Sequence, residues 1–274
     1  MTAMLNALTQ IVKIAAREEL LPRFGESERQ FKRDGSIVTE ADMAMQCRLL
    51  DDLTNLTPHY RLLAEEMPED EQLALVATSD RGLWCLDPLD GTSNFASGIP
   101  FFTVSLGLLI DRRPALGLVY DPLRDECFTA ERGRGAWLNG QPLRCHTAGL
   151  PLHRSMAVID FKRLGNLSGI LAIKPPYSSQ RNFGSVALEW CWLAANRYQL
   201  YLHGRQKLWD YAAGALILAE AGGQAETLQG DPIFSHDLQP RSAVAACDAQ
   251  LFAQWKGWLT DVGALHNQPL GEVC

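Results

Sequence analysis

The sequence predicts an α/β protein, on three observations. Short apolar runs of strand length alternate with helical periods along the chain. The chain is long enough to bury a substantial core, and acidic residues recur at the ends of the apolar runs. With 274 residues it fits one large unit or two closely fused halves, and no repeat or linker separates such halves.

The first helix is expected from Ala3 to Leu21, where Ile11, Ile14, Ala15 and Glu18 keep a helical period up to Pro22. A polar loop, Arg23 to Ser36, leads into Thr39-Glu40-Ala41-Asp42, whose Thr39 with Asp42 three residues on is a helix-start pattern. That second helix runs to about Leu53. Tyr60–Ala64 and Leu83–Leu86 read as short strands, each followed by acids, which puts carboxylates at a sheet edge. Phe102–Ile110, Ala115–Tyr120 and Glu126–Thr129 alternate with turn residues and predict an antiparallel meander. A helix at Val186–Ala195, a strand around Gln199–Leu202 and a helix from Asp210 to Ala221, closed by Gly222-Gly223, complete the pattern.

Composition narrows the function classes. Hydrophobic residues at 47% and charged residues at 21% suit an ordinary globular protein, not a disordered or fibrous one. A net charge of −7 without any basic run speaks against a nucleic-acid partner. The N-terminus mixes Thr2, Asn6, Lys13 and Arg17 among apolar residues, unlike a secretory signal. The most apolar stretch, Thr103 to Ile110, is far shorter than the roughly 20 residues that cross a bilayer, so no membrane association is expected. Seven scattered cysteines without a C-x-x-C pair predict a reduced, cytoplasmic chain, with Cys47, Cys85 and Cys191 as small core residues.

The most informative segment is Leu86-Asp87-Pro88-Leu89-Asp90-Gly91-Thr92-Ser93-Asn94-Phe95, directly after a strand. Pro88 holds the residue before it extended and Gly91 permits a tight turn, so two aspartates share one rigid loop. Hard divalent cations take carboxylate and phosphate oxygens, which suits such a pair; turn-forming Asp-Pro and Asp-Gly dipeptides are the competing explanation, and the one that fits Asp121-Pro122 and Asp231-Pro232. Glu65-Glu66 follows an apolar run and could face the same edge or belong to a solvated loop. Asp210 opens a helix, where an acid can cap backbone amides as well as serve a site.

Together, Asp87–Phe95 and Trp209-Asp210-Tyr211-Ala212-Ala213-Gly214, closing with Glu220-Ala221-Gly222-Gly223, closely resemble the two signatures of the inositol monophosphatase family. The resemblance extends to Val38–Asp42, Ala64-Glu65-Glu66 and Arg181-Asn182-Phe183-Gly184-Ser185. It implies a layered αβαβα sandwich shared with fructose-1,6-bisphosphatases, one unit over 1–274 with an N-terminal α+β half to about 140 and a C-terminal α/β half. It also implies a cytoplasmic homodimer that hydrolyses a small phosphorylated metabolite with two or three Mg²⁺ ions and is inhibited by Li⁺. Carried over to this chain, the metal ligands are Glu65, Asp87, the carbonyl of Leu89, Asp90 and Asp210. Glu65, Thr92 and Asp42 are the catalytic residues around a metal-activated water. Asp90, Gly91, Thr92, Gly184, Ser185, Val186, His203 and Asp210 are the substrate contacts. His203 departs from the family, which carries an acid seven positions before Asp210. The implied substrate is inositol monophosphate, with histidinol phosphate, fructose 1,6-bisphosphate or 3′-phosphoadenosine nucleotides as alternatives. The loop Lys32-Arg33-Asp34-Gly35-Ser36 resembles relatives acting on two of these, and a mainly binding role is the remaining alternative.

Overall fold

Helix α1 (Ala3–Ala15) starts at Thr2, whose hydroxyl accepts from the Leu5 amide at 3.4 Å, and buries Leu5, Leu8, Val12 and Ala15 on one face. The computed structural model describes residues 2–32, 35–79 and 81–265. The single helix expected to Leu21 is instead continued by a π-helical turn, Ala16–Leu20, and a 3-10 turn, Leu21–Arg23. Pro22 falls in the first half of that last turn, where its fixed φ is tolerated. The expected loop contains a small hairpin, β1 (Gln30–Phe31) with β2 (Ile37–Val38). Arg33 and Asp34 of the loop resembling other relatives lie outside the described residues. Helix α2 (Glu40–Leu56) begins at the predicted capping box: Asp42 Oδ2 accepts from the Thr39 amide at 2.7 Å. Its inward face is Met45, Leu49 and Leu53. Cys47 corrects our reading of three core cysteines: it is exposed, two residues from Met45 and so across the helix, whereas Cys85 and Cys191 are buried.

Seven strands form the first sheet in sequence order: β3 (Arg61–Ala64), β4 (Leu83–Asp90), β5 (Thr103–Ile110), β6 (Arg113–Asp121), β7 (Glu126–Glu131), β8 (Gly135–Leu138) and β9 (Gln141–Leu143). β5 to β7 are the predicted antiparallel meander, which β4 on one side and β8 and β9 on the other extend. β3 and β4 are parallel, and the chain between them contains α3 (Glu69–Thr78), a helix the sequence reading did not include. Glu69, Asp70 and Glu71 after Pro68 were the overlooked signal, since acids favour the positive end of a helix. After β4 comes the short α4 (Thr92–Ala96).

The second sheet has the order β11-β10-β12-β14-β13, from β10 (Met156–Ile159), β11 (Ser179–Arg181), β12 (Leu200–Gln206), β13 (Gln224–Glu226) and β14 (Arg241–Ala246). Helices α5 (Asn166–Ile173), α6 (Val186–Ala194), α7 (Leu208–Ala221) and α8 (Ala249–Asp261) complete the chain. The α1 and α2 residues Leu5, Val12, Met45 and Leu49 pack with Leu86, Val104, Leu106 and Leu118 of the first sheet. Its other face meets α6 and α7, which also reach the second sheet, and α8 covers the far side with Trp255 donating to the Tyr201 carbonyl at 3.3 Å. The result is the αβαβα sandwich.

Strand alternation explains how closely α7 approaches. Val104, Leu106, Leu116 and Leu118 point to α1 and α2. The opposite face offers Ser105, Gly107 and Gly117: Ser105 donates to the Trp209 carbonyl at 3.1 Å, and a β-carbon on Gly117 would stand 2.8 Å from the Ala213 carbonyl oxygen. A helix seated this deep carries its N-terminal turn to the end of β4.

Candidate active site

Asp87 and Asp90 are three residues apart, so an unbroken strand would send them to opposite faces of the sheet. A bulge prevents this. Asp87 pairs with Ser105 and Asp90 with Thr103, so three steps on β4 match two on β5 and both aspartates turn to the face that receives α7. Pro88, which lacks a donor for the ladder, stands in the bulge. Asp87 Oδ1 accepts from the Leu89 amide at 3.0 Å. Asp90 Oδ2 accepts from Ser185 Oγ at 2.7 Å and the Ala187 amide at 2.6 Å, with the Val186 amide also donating. Gly91 follows at φ +96°, where a β-carbon would lie 3.0 Å from the Phe101 carbonyl oxygen and 3.2 Å from Ser185 Cβ. The motif therefore lies directly against the Gly184–Val186 segment that opens α6.

Thr92 Oγ1 lies 3.0 Å from Asp42 Oδ1 and 2.9 Å from the Leu89 carbonyl oxygen, two acceptors for one hydroxyl proton. Asp42 is buried, and its other oxygen is held by Thr39. Glu65 stands just past β3, its amide bonded to the Leu86 carbonyl at 3.1 Å. The Gln72 amide group, donating to the Ala64 and Glu65 carbonyls at 2.9 and 3.1 Å, fixes that turn. Lys32 bridges Glu65 Oε1 at 3.1 Å and Glu66 Oε1 at 2.6 Å. Asp210 was expected to open its helix; the helix starts two residues earlier, and Asp210 sits in its first turn with Oδ2 accepting from the Lys207 amide at 2.8 Å.

The charges are arranged unfavourably. Burial pushes the Asp87 carboxyl well up, and Glu65, Asp90 and Asp210 push it further. Asp210 is raised by burial and then by Asp90 and Glu65, and Asp90 by burial against the pull of Ser185 and Ala187. Glu66 rises to about 7 through burial, opposed by the hydrogen bond from Lys32. Burial alone would lower Lys32, but the two glutamates outweigh it and hold the ammonium charged. Among the described residues, no three acidic, imidazole or thiol groups stand close enough to enclose an ion ready-made. The donor set nevertheless fits a hard cation: all the groups are oxygens, their mutual repulsion is relieved by positive charge, and Lys32 already supplies one such charge at the edge.

The family model for "Inositol monophosphatase family" matches residues 1–257. The chain belongs to the inositol monophosphatase family. It is 37% identical over 230 residues to inositol monophosphatase 2 of Solanum lycopersicum, covering 78% of this chain and 82% of that protein. It is 35% identical over 203 residues to Nus factor SuhB of Pasteurella multocida, covering 70% and 72%. The crystal structure of SaIMPase-II with inositol monophosphate bound superposes with a TM-score of 0.78 at 27% identity, covering 97% of this chain and 98% of that one. Membership makes the chain a phosphatase, a phosphoric monoester hydrolase, in a family that is generally metal-dependent.

The fold thus brings Glu65, Asp87, Asp90, Asp210, Asp42, Thr92 and Ser185 together around the end of β4. A cavity of about 600 Å³ lined by Leu53, Tyr60, Met67 and Trp84 lies elsewhere and includes none of these acids. His203 is buried, and both its ring nitrogens are engaged within the protein, Nδ1 by the Arg205 amide at 3.1 Å and Nε2 by Asp160 at 3.1 Å. Sequence reasoning passed over two residues that shape the site. Asn94 donates to the carbonyls of Phe101 at 2.8 Å and Phe183 at 2.7 Å, tying α4 to the Gly184 segment. Glu189 Oε1 accepts from the amides of Phe183 at 2.9 Å and Gly184 at 3.0 Å. A lone acid inside the apolar run Val186–Ala194 was the signal for it.

Burial pushes Glu189 up to about 8 despite those two amides. A raised value means the folded state holds the proton more tightly, so Glu189 withdraws stability as pH rises from about 4.5 to about 8. Glu189→Gln keeps an acceptor for both amides and should flatten that part of the stability–pH curve with little loss of activity. Glu189→Ala removes the acceptor of the Phe183 and Gly184 amides and should cost about 1 kcal/mol in urea unfolding.

Proposed function

We propose that this phosphatase hydrolyses small phosphate monoesters, inositol monophosphate first among them, using Mg²⁺. The observation that carries the reading is the β4 bulge, which turns Asp87 and Asp90 to the same face as Asp210, beside Glu65. Glu65, Asp87, Asp90, Asp210 and the Leu89 carbonyl are the groups that would hold two or three Mg²⁺ ions. When bound, such ions neutralise the phosphate and lower the pKa of a coordinated water. The chain's own residues do the rest. The amides of Gly91 and Thr92 hold phosphate oxygens. With its proton turned to Asp42 Oδ1, Thr92 Oγ1 offers a lone pair that orients the attacking water, and a Glu65 carboxylate oxygen takes the water's proton. Gly184, Ser185, Val186 and Asp210 face the alcohol part of the ester, held in register through Asp90.

On the same reading the enzyme is a Li⁺-sensitive, cytoplasmic homodimer. The free state of all the cysteines among the described residues fits the reduced compartment of that reading. The test is phosphate release from inositol 1-phosphate, histidinol phosphate, fructose 1,6-bisphosphate and 3′-phosphoadenosine 5′-phosphate, with and without Mg²⁺ and Li⁺. Mg²⁺-dependent turnover of inositol 1-phosphate above the rest supports the proposal, and preference for another ester transfers the specificity to it. Turnover of none moves the protein to the binding role suggested by its relatives named Nus factor.

Mg²⁺ should also raise the unfolding temperature of metal-free protein, more at pH 8 than at pH 5.5. Asp87 and Asp210 are pushed up in the folded protein, so protons compete with the metal at the lower pH and are released on binding. An equal gain at both pH values would speak against these carboxylates as the ligands.

A further inference from the structure

Arg163 ends the 3-10 turn Phe161–Arg163 that follows β10, and its guanidinium donates to Asp160 Oδ2 at 2.8 Å. The same oxygen lies 3.1 Å from His203 Nε2. Asp160 and His203 are only 5% and 3% exposed, so this is no loose surface pair. His203 Nδ1 accepts from the Arg205 amide, which leaves Nε2 to carry the ring's proton toward Asp160. Burial lowers the imidazole to about 4 against the attraction of Asp160, so the ring is neutral at pH 7 and Arg163 is the charged partner of the carboxylate.

The backbone is shaped for the same contact. A β-carbon on Gly204 would stand 1.8 Å from the Arg163 carbonyl oxygen, so the turn can lie on β12 only because that residue has no side chain. β12 is the strand that runs into α7 and Asp210. The Arg163 side chain remains 45% exposed, on a turn seated against the strand that leads through Lys207 into Asp210. Among the described residues the guanidinium spends one of its five N–H groups on Asp160, so the fork keeps donors for a second anion. Lys162, Arg205 and Lys207, all exposed, add positive charge to the same two segments.

We propose that Arg163 determines specificity by binding a second anionic group, a carboxylate or a further phosphate, on the alcohol part of the phosphate monoester, with Asp160, His203 and Gly204 positioning it. This rests on the phosphatase reading of the carboxylate site.

Two matched substrate pairs test it at two lengths: glycerol 2-phosphate against 2-phosphoglycerate, and fructose 1-phosphate against fructose 1,6-bisphosphate. In at least one pair the wild type should favour the doubly anionic member by about tenfold in kcat/KM. Arg163→Gln should bring that ratio to about one, and Arg163→Lys should keep part of it. The comparison is internal to each variant, so a folding defect lowers both members together and leaves the ratio alone. A wild-type ratio near one in both pairs, or an unchanged ratio in Arg163→Gln, overturns the proposal. Failure of the wild type to hydrolyse any of the four esters while it turns over inositol 1-phosphate overturns the proposal, whereas failure on all five would instead sink the phosphatase reading beneath it.

Discussion

Asp90→Asn should lower kcat by at least about a hundredfold and leave the folded state intact. The side-chain oxygen that accepts from Ser185 and Ala187 survives in asparagine, so α6 stays docked on β4. What is lost is one negative charge where Asp87 and Asp210 already repel it. Asp90 is pushed up in the folded protein, so ionising it withdraws stability as pH rises, and the variant removes that loss. In metal-free buffer at pH 8 the variant should therefore unfold no earlier than the wild type. Steady-state kinetics on the preferred ester, with melting curves on the same preparation, check both parts. Activity near the wild-type level would remove Asp90 from the metal ligands.

Gly204→Ala should be the most damaging single-methyl change. The added carbon would sit at 1.8 Å from a backbone oxygen, so either β12 or the turn ending at Arg163 must move. Overpacking of this kind costs about 3 kcal/mol, or about 6 °C or more in melting temperature for a chain of this size. Movement of the turn would also free Arg163 from Asp160, so any surviving activity should show a reduced preference for doubly anionic esters. A melting temperature within about 1 °C of the wild type would mean that the turn shifts freely, and the positioning role of Gly204 would fall.

The signatures around Asp87 and Asp210, the Thr39–Asp42 helix start and the antiparallel meander were legible because each is a local pattern. Alternation, a capping box or a proline-fixed dipeptide needs only neighbours in the chain. Helix α3 went unread although its acidic first turn after Pro68 is a local helix-start signal. Cys47 was placed in the core by the apolar character of its surroundings, but the helix period turns it outward.

The sequence by itself determined the family and with it the phosphatase chemistry, because the two signatures around Asp87 and Asp210 are written along the chain. Only the tertiary structure decided how those acids meet. The β4 bulge depends on pairing with β5, the approach of α7 depends on glycines 107 and 117 in other strands, and the Asp160–His203–Arg163 group joins residues about forty positions apart. Such contacts arise from packing between elements distant in sequence, where the free energy of burial selects the partner and no local pattern names it.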